Sequence, residues 1–410
     1  MQPIKISISG DYLDCQIYRD RLYLWTFDGD LKVFNWSEMV YSLSKSVDDR
    51  IALQFCFLDG NFLYKNNLKT LFEDREFSQL LIKKFELLYN EVYCISENQS
   101  NLFLYGQQET PSKNLPTDTE IYSNSLYYIT EQGLFQSSAH RANKKYPVSS
   151  KPNKIWDCNL LSLKANKYPQ LSLSGGSEGL FELDIYNFKT WHRKTPKMIS
   201  SKHSSFANYA YQSVYNSSLI DKSFMSLYEL KSQQEFDIND DELSPGILAD
   251  RPKFWRKYLE DIPEEKIFNN NSNNLLSWAV EDKVYRATEE GFEIVRFNNY
   301  AKTEHGENYF SSVYNLAIDT WDGKIIGGGT SYFGTIVECE NSLIIIFSDE
   351  TIYKIPGPIT KWRVYPRSHF YENHLHVIKN DCIEIYSFNH DYFIDQNTKK
   401  VGIAYKNYRR

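Results

Sequence analysis

Two stretches of the chain gather cationic side chains with no acid among them. His140 to Lys154 holds Arg141, Lys144, Lys145, Lys151 and Lys154, and Lys189 to His203 holds Lys189, Arg193, Lys194, Lys197 and Lys202, so each nets +5 with histidine neutral. A ring is interleaved in each, Tyr146 in the first and Trp191 in the second. Cations beside rings suit an acidic or phosphate-bearing partner, because the rings add stacking and cation–π surface to the charge. Nucleic acid is the weaker alternative. No recognition helix or RNP-like strand accompanies the two stretches, and the whole chain, with 46 Lys and Arg against 53 Asp and Glu, carries −7 and repels polyanions.

Metal and catalytic chemistry have thinner support. His374 and His376 stand two apart in an apolar run, a spacing that projects both rings from one side of a strand as a metal pair requires, with Glu372 near them in sequence. Alternate strand positions also occur where no metal binds, so the expectation is no metal and no cofactor. Gly327-Gly-Gly329 is followed by Thr-Ser-Tyr-Phe in place of a lysine and helix, which excludes a Walker-type loop and points to close strand packing or a bulge. No Gly-x-Ser-x-Gly elbow occurs. No catalytic residue is assigned, and a hydrolase or lyase with acids gathered from separate strands is the alternative to a non-catalytic protein.

The elements that must position these residues are strands. Tyr, Phe and Trp make up 16% of the 410 residues, a bias that suits pleated, half-buried surfaces. One unit recurs: an alternating apolar run, a short turn, and a second alternating run. It is clearest at Gln170–Asp184, where Gly175 and Gly179 bracket the turn, and at Asp20–Phe34 and Asn124–Phe135. Looser copies stand at Asn90–Tyr105, Ser217–Leu230, Asp282–Val295, Asn341–Ile355 and Asn373–Phe388. Units at this spacing, with no linker rich in Pro, Gly or Ser between them, predict four-stranded blades. The copies, above all Gly175-Gly-Ser-Glu-Gly-Leu-Phe-Glu-Leu-Asp184, resemble the blades of WD-repeat-like and sensor-type β-propellers, although Trp156-Asp157 and Trp321-Asp322 fall at the wrong point of the unit for a true WD signature.

The resemblance implies an all-β fold: a single β-propeller over 1–410 with seven four-stranded blades, eight being the alternative, in which Met1–Ser9 closes the ring against the last blade. A pair of β-sandwiches is the competing architecture. Two insertions interrupt the pattern. One, at about 66–90, is helical, with Phe77, Leu80, Leu81, Phe85 and Leu88 on one face. The other, at 232–274, is acidic, partly mobile, and contains the amphipathic piece Phe254–Leu259 with Trp255.

In such a ring the two basic stretches would emerge at equivalent positions on one face, since each follows the second strand pair of its unit. The expected function is a protein-interaction scaffold, or a substrate or regulatory subunit of a larger complex. It would bind a protein partner through Arg141, Lys144, Lys145, Tyr146, Trp191, Arg193, Lys194 and Lys197, with Trp255 as a second docking element. The opening residues lack the apolar core and cleavage site of a signal peptide, and no apolar run approaches the ~20 residues that span a bilayer. A cytoplasmic protein with no membrane partner is expected, and abundant Asn, Lys, Ile and Tyr suggest a bacterial source. The six cysteines, none near another and each in an apolar run, are expected to be buried, reduced thiols.

Overall fold

Alternating strands bury their apolar face only by pairing and stacking, and the computed structural model shows how these do so. It describes residues 2–59, 74–111, 114–139, 147–166, 170–185, 195–232, 254–268, 274–298, 309–318, 321–389 and 399–404. The described strands form seven sheets, each an antiparallel meander whose strands are lettered A to D from the ring axis outward. Blade 1 comprises Tyr12–Tyr18, Arg21–Thr26, Asp30–Asn35 and Leu104–Glu109; blade 2, Asp118–Tyr122, Ser125–Thr130, Gly133–Ser138 and Asn153–Trp156. Blade 3 comprises Ser162–Ala165, Gln170–Ser174, Leu180–Asp184 and Lys197–Ser200; blade 4, Phe206–Ala210, Ser213–Ser217, Phe224–Ser232 and Phe254–Pro263. Blade 5 comprises Asn274–Val280, Lys283–Thr288, Gly291–Phe297 and Phe310–Ala317; blade 6, Ile325–Thr330, Gly334–Cys339, Ser342–Phe347 and Ile352–Pro356.

Blade 7 takes strands A to C from Lys361–Val364, His374–Ile378 and Cys382–Ser387, and its D strand from the other end of the chain. Ile4–Ser9 pairs antiparallel with Cys382–Ser387, from Ile4 opposite Ser387 to Ser9 opposite Cys382, so the ring closes as expected. The short strand Tyr93–Ile95 runs parallel beyond it. The chain is a seven-bladed β-propeller. The count is not eight because Asn90–Tyr105 is no hairpin. It holds that short strand, a helical turn at Glu97–Ser100 and the start of another strand.

The core lies between blades. Trp25 and Val33 of blade 1 pack on Leu126 and Tyr128 of blade 2, and Ile129 and Leu134 of blade 2 pack on Leu171 and Leu173 of blade 3. Trp278 and Phe292 of blade 5 meet Val337 and Ile346 of blade 6. Close approach fixes two recurring glycines. Gly133 begins the C strand of blade 2 at φ +116° and Gly179 directly precedes that of blade 3 at φ +105°, and a Cβ there would sit 2.0 Å from the Trp156 carbonyl oxygen and 2.3 Å from that of Ser200. Gly327–Gly329 do mark close packing. A Cβ on Gly328 would meet the Trp278 ring at 2.4 Å, one on Gly329 the Trp362 ring at 2.8 Å, and the pairing register shifts between Ile325 and Gly327.

The helical insertion is larger than its periodicity suggested. It joins strands C and D of blade 1 and includes α1 (Trp36–Ser42), α2 (Val47–Phe57) and α3 (Arg75–Tyr89). Asp74 caps α3 by accepting from the Phe77 amide, and Leu81, Phe85 and Leu88 are buried, whereas Phe77 and Leu80 of the expected face are exposed. In the acidic insertion, Phe254–Pro263 is a strand paired with Phe224–Ser232 and Glu264–Phe268 is helical, so 254–268 belong to the ring, and 269–273 lie outside the described residues. Residues 233–253, with the Asp237–Glu242 acids, lie outside the described residues. Cys15, Cys56 and Cys339 are buried thiols, but Cys94 is exposed and Cys158 and Cys382 are only half-buried. Short apolar runs at blade edges look the same in sequence as those between blades. No described helix is long and apolar enough to cross a membrane.

Candidate docking face

An up-and-down blade delivers its A–B and C–D connections to one face of the ring and its B–C turns and D–A links to the other. The second face is plain, with B–C turns at 131–132, 289–290 and 340–341. The first is elaborated. Its C–D connections are 36–103 in blade 1, 139–152 in blade 2, 185–196 in blade 3, 233–253 in blade 4 and 298–309 in blade 5.

Both basic stretches fall largely within such C–D connections of the neighbouring blades 2 and 3, at equivalent positions of the topology. Arg141, Lys144, Lys145, Tyr146, Trp191, Arg193 and Lys194 lie outside the described residues. Lys197 is exposed at the start of strand D of blade 3, in register with Glu182. Trp255 lies on strand D of blade 4 opposite Lys231, with that C–D connection on the same face.

At the root of the first basic stretch is a pocket of about 150 Å³ that sequence reasoning missed. Tyr18, Arg19, Arg21, Tyr23 and Tyr105 of blade 1 line it together with Ala139 and Pro147, which flank the undescribed part of the blade 2 connection. The Arg21 guanidinium lies 4.1 Å from the centroid of the Tyr105 ring and donates to the Asp20 carbonyl at 3.3 Å and to the Asn35 amide oxygen. Arg19 lies 5.6 Å from the Tyr18 ring centroid. The Tyr18 hydroxyl donates to the Asn124 side-chain oxygen at 3.0 Å, tying blade 1 to blade 2. Burial pushes the Tyr23 hydroxyl up to about 12, so it stays a donor at neutral pH. The only hint in sequence was two arginines flanking a turn.

The ring axis is crossed by ion pairs. Arg363 of blade 7 donates to both oxygens of Asp14 in blade 1, at 2.9 and 2.6 Å, and to Asp118 in blade 2 at 2.6 Å. Asp118 also accepts from the Leu163 amide of blade 3, and Asp14 from the Thr119 hydroxyl. Burial raises the Asp118 carboxyl, but Arg363 and Lys361 outweigh it and hold it well below the usual carboxylate range. Arg367 binds Glu120 of blade 2 and the Asn166 carbonyl of blade 3. These inner-strand acids are committed to cations. A glycosidase-type pair instead needs one carboxyl kept protonated. A second cavity, of about 70 Å³, opens at the mouth of the channel on the elaborated face beside Lys164, Asn208, Tyr209 and Arg367, and burial lowers the Lys164 amine.

His374 and His376 do project to one side, with ring centroids 5.6 Å apart, but into the core. One His374 nitrogen bonds the Cys56 carbonyl of α2 at 3.0 Å, the rings bond each other at 3.4 Å, and the remaining His376 nitrogen meets the Tyr365 hydroxyl at 3.2 Å. Burial pushes His374 down to about 3 and, with His374 beside it, His376 well below its usual value. All four ring nitrogens are thus engaged in a neutral relay. Among the described residues no group of three or more His, Cys, Asp or Glu is arranged to hold a metal ion.

No protein-family model matches the sequence, and no curated protein matches it. Solved structures are similar at low identity. BBS1N, crystallised in complex with ARL6DN, is 8% identical over 96% of this chain and 100% of that one, with a TM-score of 0.49. The β-propeller domain of Cps50 (Swd1) from Myceliophteria thermophila is 7% identical over 93% and 98%, at 0.47. The CNH domain of AfRom2 is 14% identical over 68% and 95%, at 0.37. These likenesses are weak and concern fold alone.

Proposed function

We propose that the protein is a non-catalytic, cytoplasmic propeller that serves as a scaffold or regulatory subunit, docking an acidic protein partner on its elaborated face. The observation that carries this reading is topological. Two acid-free stretches, each netting +5 in a chain of −7, largely occupy the same connection in adjacent blades. Charge concentrated against the sign of the whole chain steers a complementary surface and sets its orientation. Arg141, Lys144, Lys145, Tyr146, Trp191, Arg193, Lys194 and Lys197 are the contact residues of this reading, with Trp255 of blade 4 as a further anchor. The engagement of Asp14, Asp118 and Glu120 in ion pairs supports a binding role over hydrolysis.

The test is capture of the partner from native lysate with the wild-type protein and with Lys144, Lys145, Arg193, Lys194 and Lys197 all changed to Glu. A control carries Lys222→Glu in the B–C turn of blade 4 and Lys324→Glu in the D–A link before blade 6, both on the plain face. A stoichiometric acidic protein should bind wild type and control and be lost from the five-fold variant. Equal capture by all three would refute the docking face, and nucleic acid in its place would move the reading to the alternative.

A further inference from the structure

The pocket between blades 1 and 2 holds two guanidinium groups that meet no carboxylate among the described residues. Arg19 contacts a ring, and Arg21 contacts a ring and two neutral oxygens. The nearest acid in sequence, Asp20, is already used. It accepts from the Ser37 amide at 2.8 Å and from the Ser37 hydroxyl at 2.7 Å at the start of α1. The backbone that carries these arginines is strained. Arg19 and Asp20 have φ of +47° and +59° in a two-residue hairpin turn, where Asn and Gly are the favoured residues. The A–B turns of blades 2, 4 and 5 carry the same positive φ at Ser123, Asn124, Tyr211 and Glu281, so this turn is a feature of the ring that here presents Arg19 to the pocket.

We propose that this pocket binds a phosphate monoester dianion, gripped by Arg19, Arg21 and the Tyr23 hydroxyl. Two guanidinium forks and a hydroxyl offer more donors than the two oxygens of a carboxylate can use in one geometry. Three phosphate oxygens and a charge near −2 match them. The Tyr105 ring holds the Arg21 plane and the Tyr18 ring stands beside Arg19, so the forks are preorganised. About 150 Å³ accommodates the tetrahedral group. The proposal rests on the docking reading, since the pocket opens on the same face at the root of the first basic stretch and would take a phosphate carried to that face.

Inorganic phosphate is the first probe, titrated by calorimetry into the full chain at constant ionic strength with chloride as the balancing anion. Wild type should show saturable binding, Tyr23→Phe should weaken it several-fold, and Arg19→Lys with Arg21→Lys, which keeps charge but loses the forks, should weaken it about tenfold. Arg19→Gln with Arg21→Gln should abolish it while circular dichroism and melting stay those of a folded ring. Arg19→Asn supplies a second variant that suits the turn better, and it should melt no lower than wild type yet bind phosphate more weakly. Two monoesters then compete with inorganic phosphate. Tighter binding of capped O-phosphoserine assigns the site to a phosphorylated side chain, and tighter binding of adenosine monophosphate assigns it to a nucleotide. A phosphate signal equal to that of chloride, survival of binding in the double Gln variant, or failure of both monoesters to compete would overturn the proposal. Partner capture separates the two readings. If the double Gln variant still captures the partner and phosphate does not bind, the docking face stands and the phosphate site falls; the reverse pattern sinks docking alone.

Discussion

The two faces of this ring are built from the same strands and differ in what selection on folding permits. On the plain face, connections are tight and backbones touch, as where Gly133 and Gly179 press on the carbonyls of Trp156 and Ser200. On the elaborated face, C–D connections of blades 1 to 5 carry helices, two basic stretches and an acidic one without disturbing the A–B–C pairing beneath them. Loops over a closed scaffold tolerate length and charge because they bury little, so function accumulates there and stability does not.

The first way to break this contrast is to attack the wall that both faces share. Arg363→Ala leaves buried Asp14 without its cation and nearby buried Asp118 with Lys361 alone, and should cost about 4 kcal/mol in urea unfolding. A loss under 1 kcal/mol would mean that the axial ion pairs are not what joins blades 7, 1 and 2. Next comes the plain face itself. Gly179→Ala puts a methyl 2.3 Å from the Ser200 oxygen at φ +105° and should cost about 3 kcal/mol. The five-fold Glu variant of the basic stretches should shift stability by less than about 0.5 kcal/mol. Equal losses from the two changes would erase the distinction between the faces.

The strand grammar was legible wherever alternation, turn and close packing coincide, as in Gln170–Asp184, where Leu171 pairs with Leu183 and Leu173 with Phe181. It misled at Asn90–Tyr105, which offers the same alternation and turn residues. There Ser96 and Gln99 form a capping box that starts a helical turn, a local signal that competes with the hairpin. The site was legible only in its charge. His374 and His376 do share a side, yet the Cys56 carbonyl that engages His374 belongs to α2, more than three hundred residues earlier in the chain. The Arg19 and Arg21 pocket needs Tyr105 and Pro147 to close it, and neither is near in sequence.

A smaller effect sharpens the comparison through pH. Glu264 begins the helical D–A link of blade 4 on the plain face, 5% exposed, with one oxygen accepting from the Asn274 side-chain amide at 2.7 Å. Burial is the main cause that pushes it up to about 7 from its ordinary 4.5, against the pull of Ser277, Arg286 and Asn274. Because the folded value lies above the unfolded one, the stabilisation from this group is present below pH 4.5 and is lost as pH rises through 7. Glu264→Gln should match wild type near pH 4.5 and exceed it by about 3 kcal/mol at pH 8. A constant difference across that range would place the titration elsewhere.

The smallest change tests the elaborated face from the opposite direction, by gaining stability. Arg19 sits at φ +47°, and replacement by Asn, which tolerates the left-handed region, should add about 1 kcal/mol or slightly less in chemical unfolding. Nothing comparable is expected from altering residues that start or directly precede the C strands on the plain face, where sequence already matches backbone with glycine at 133, 179 and 291. A gain in stability at Arg19 paired with weaker phosphate binding would show that the ring gives up folding energy on one face to hold a cation there. A loss of stability would mean that the contacts of Arg19 with Tyr18 outweigh the turn strain, and that the residue is kept for packing.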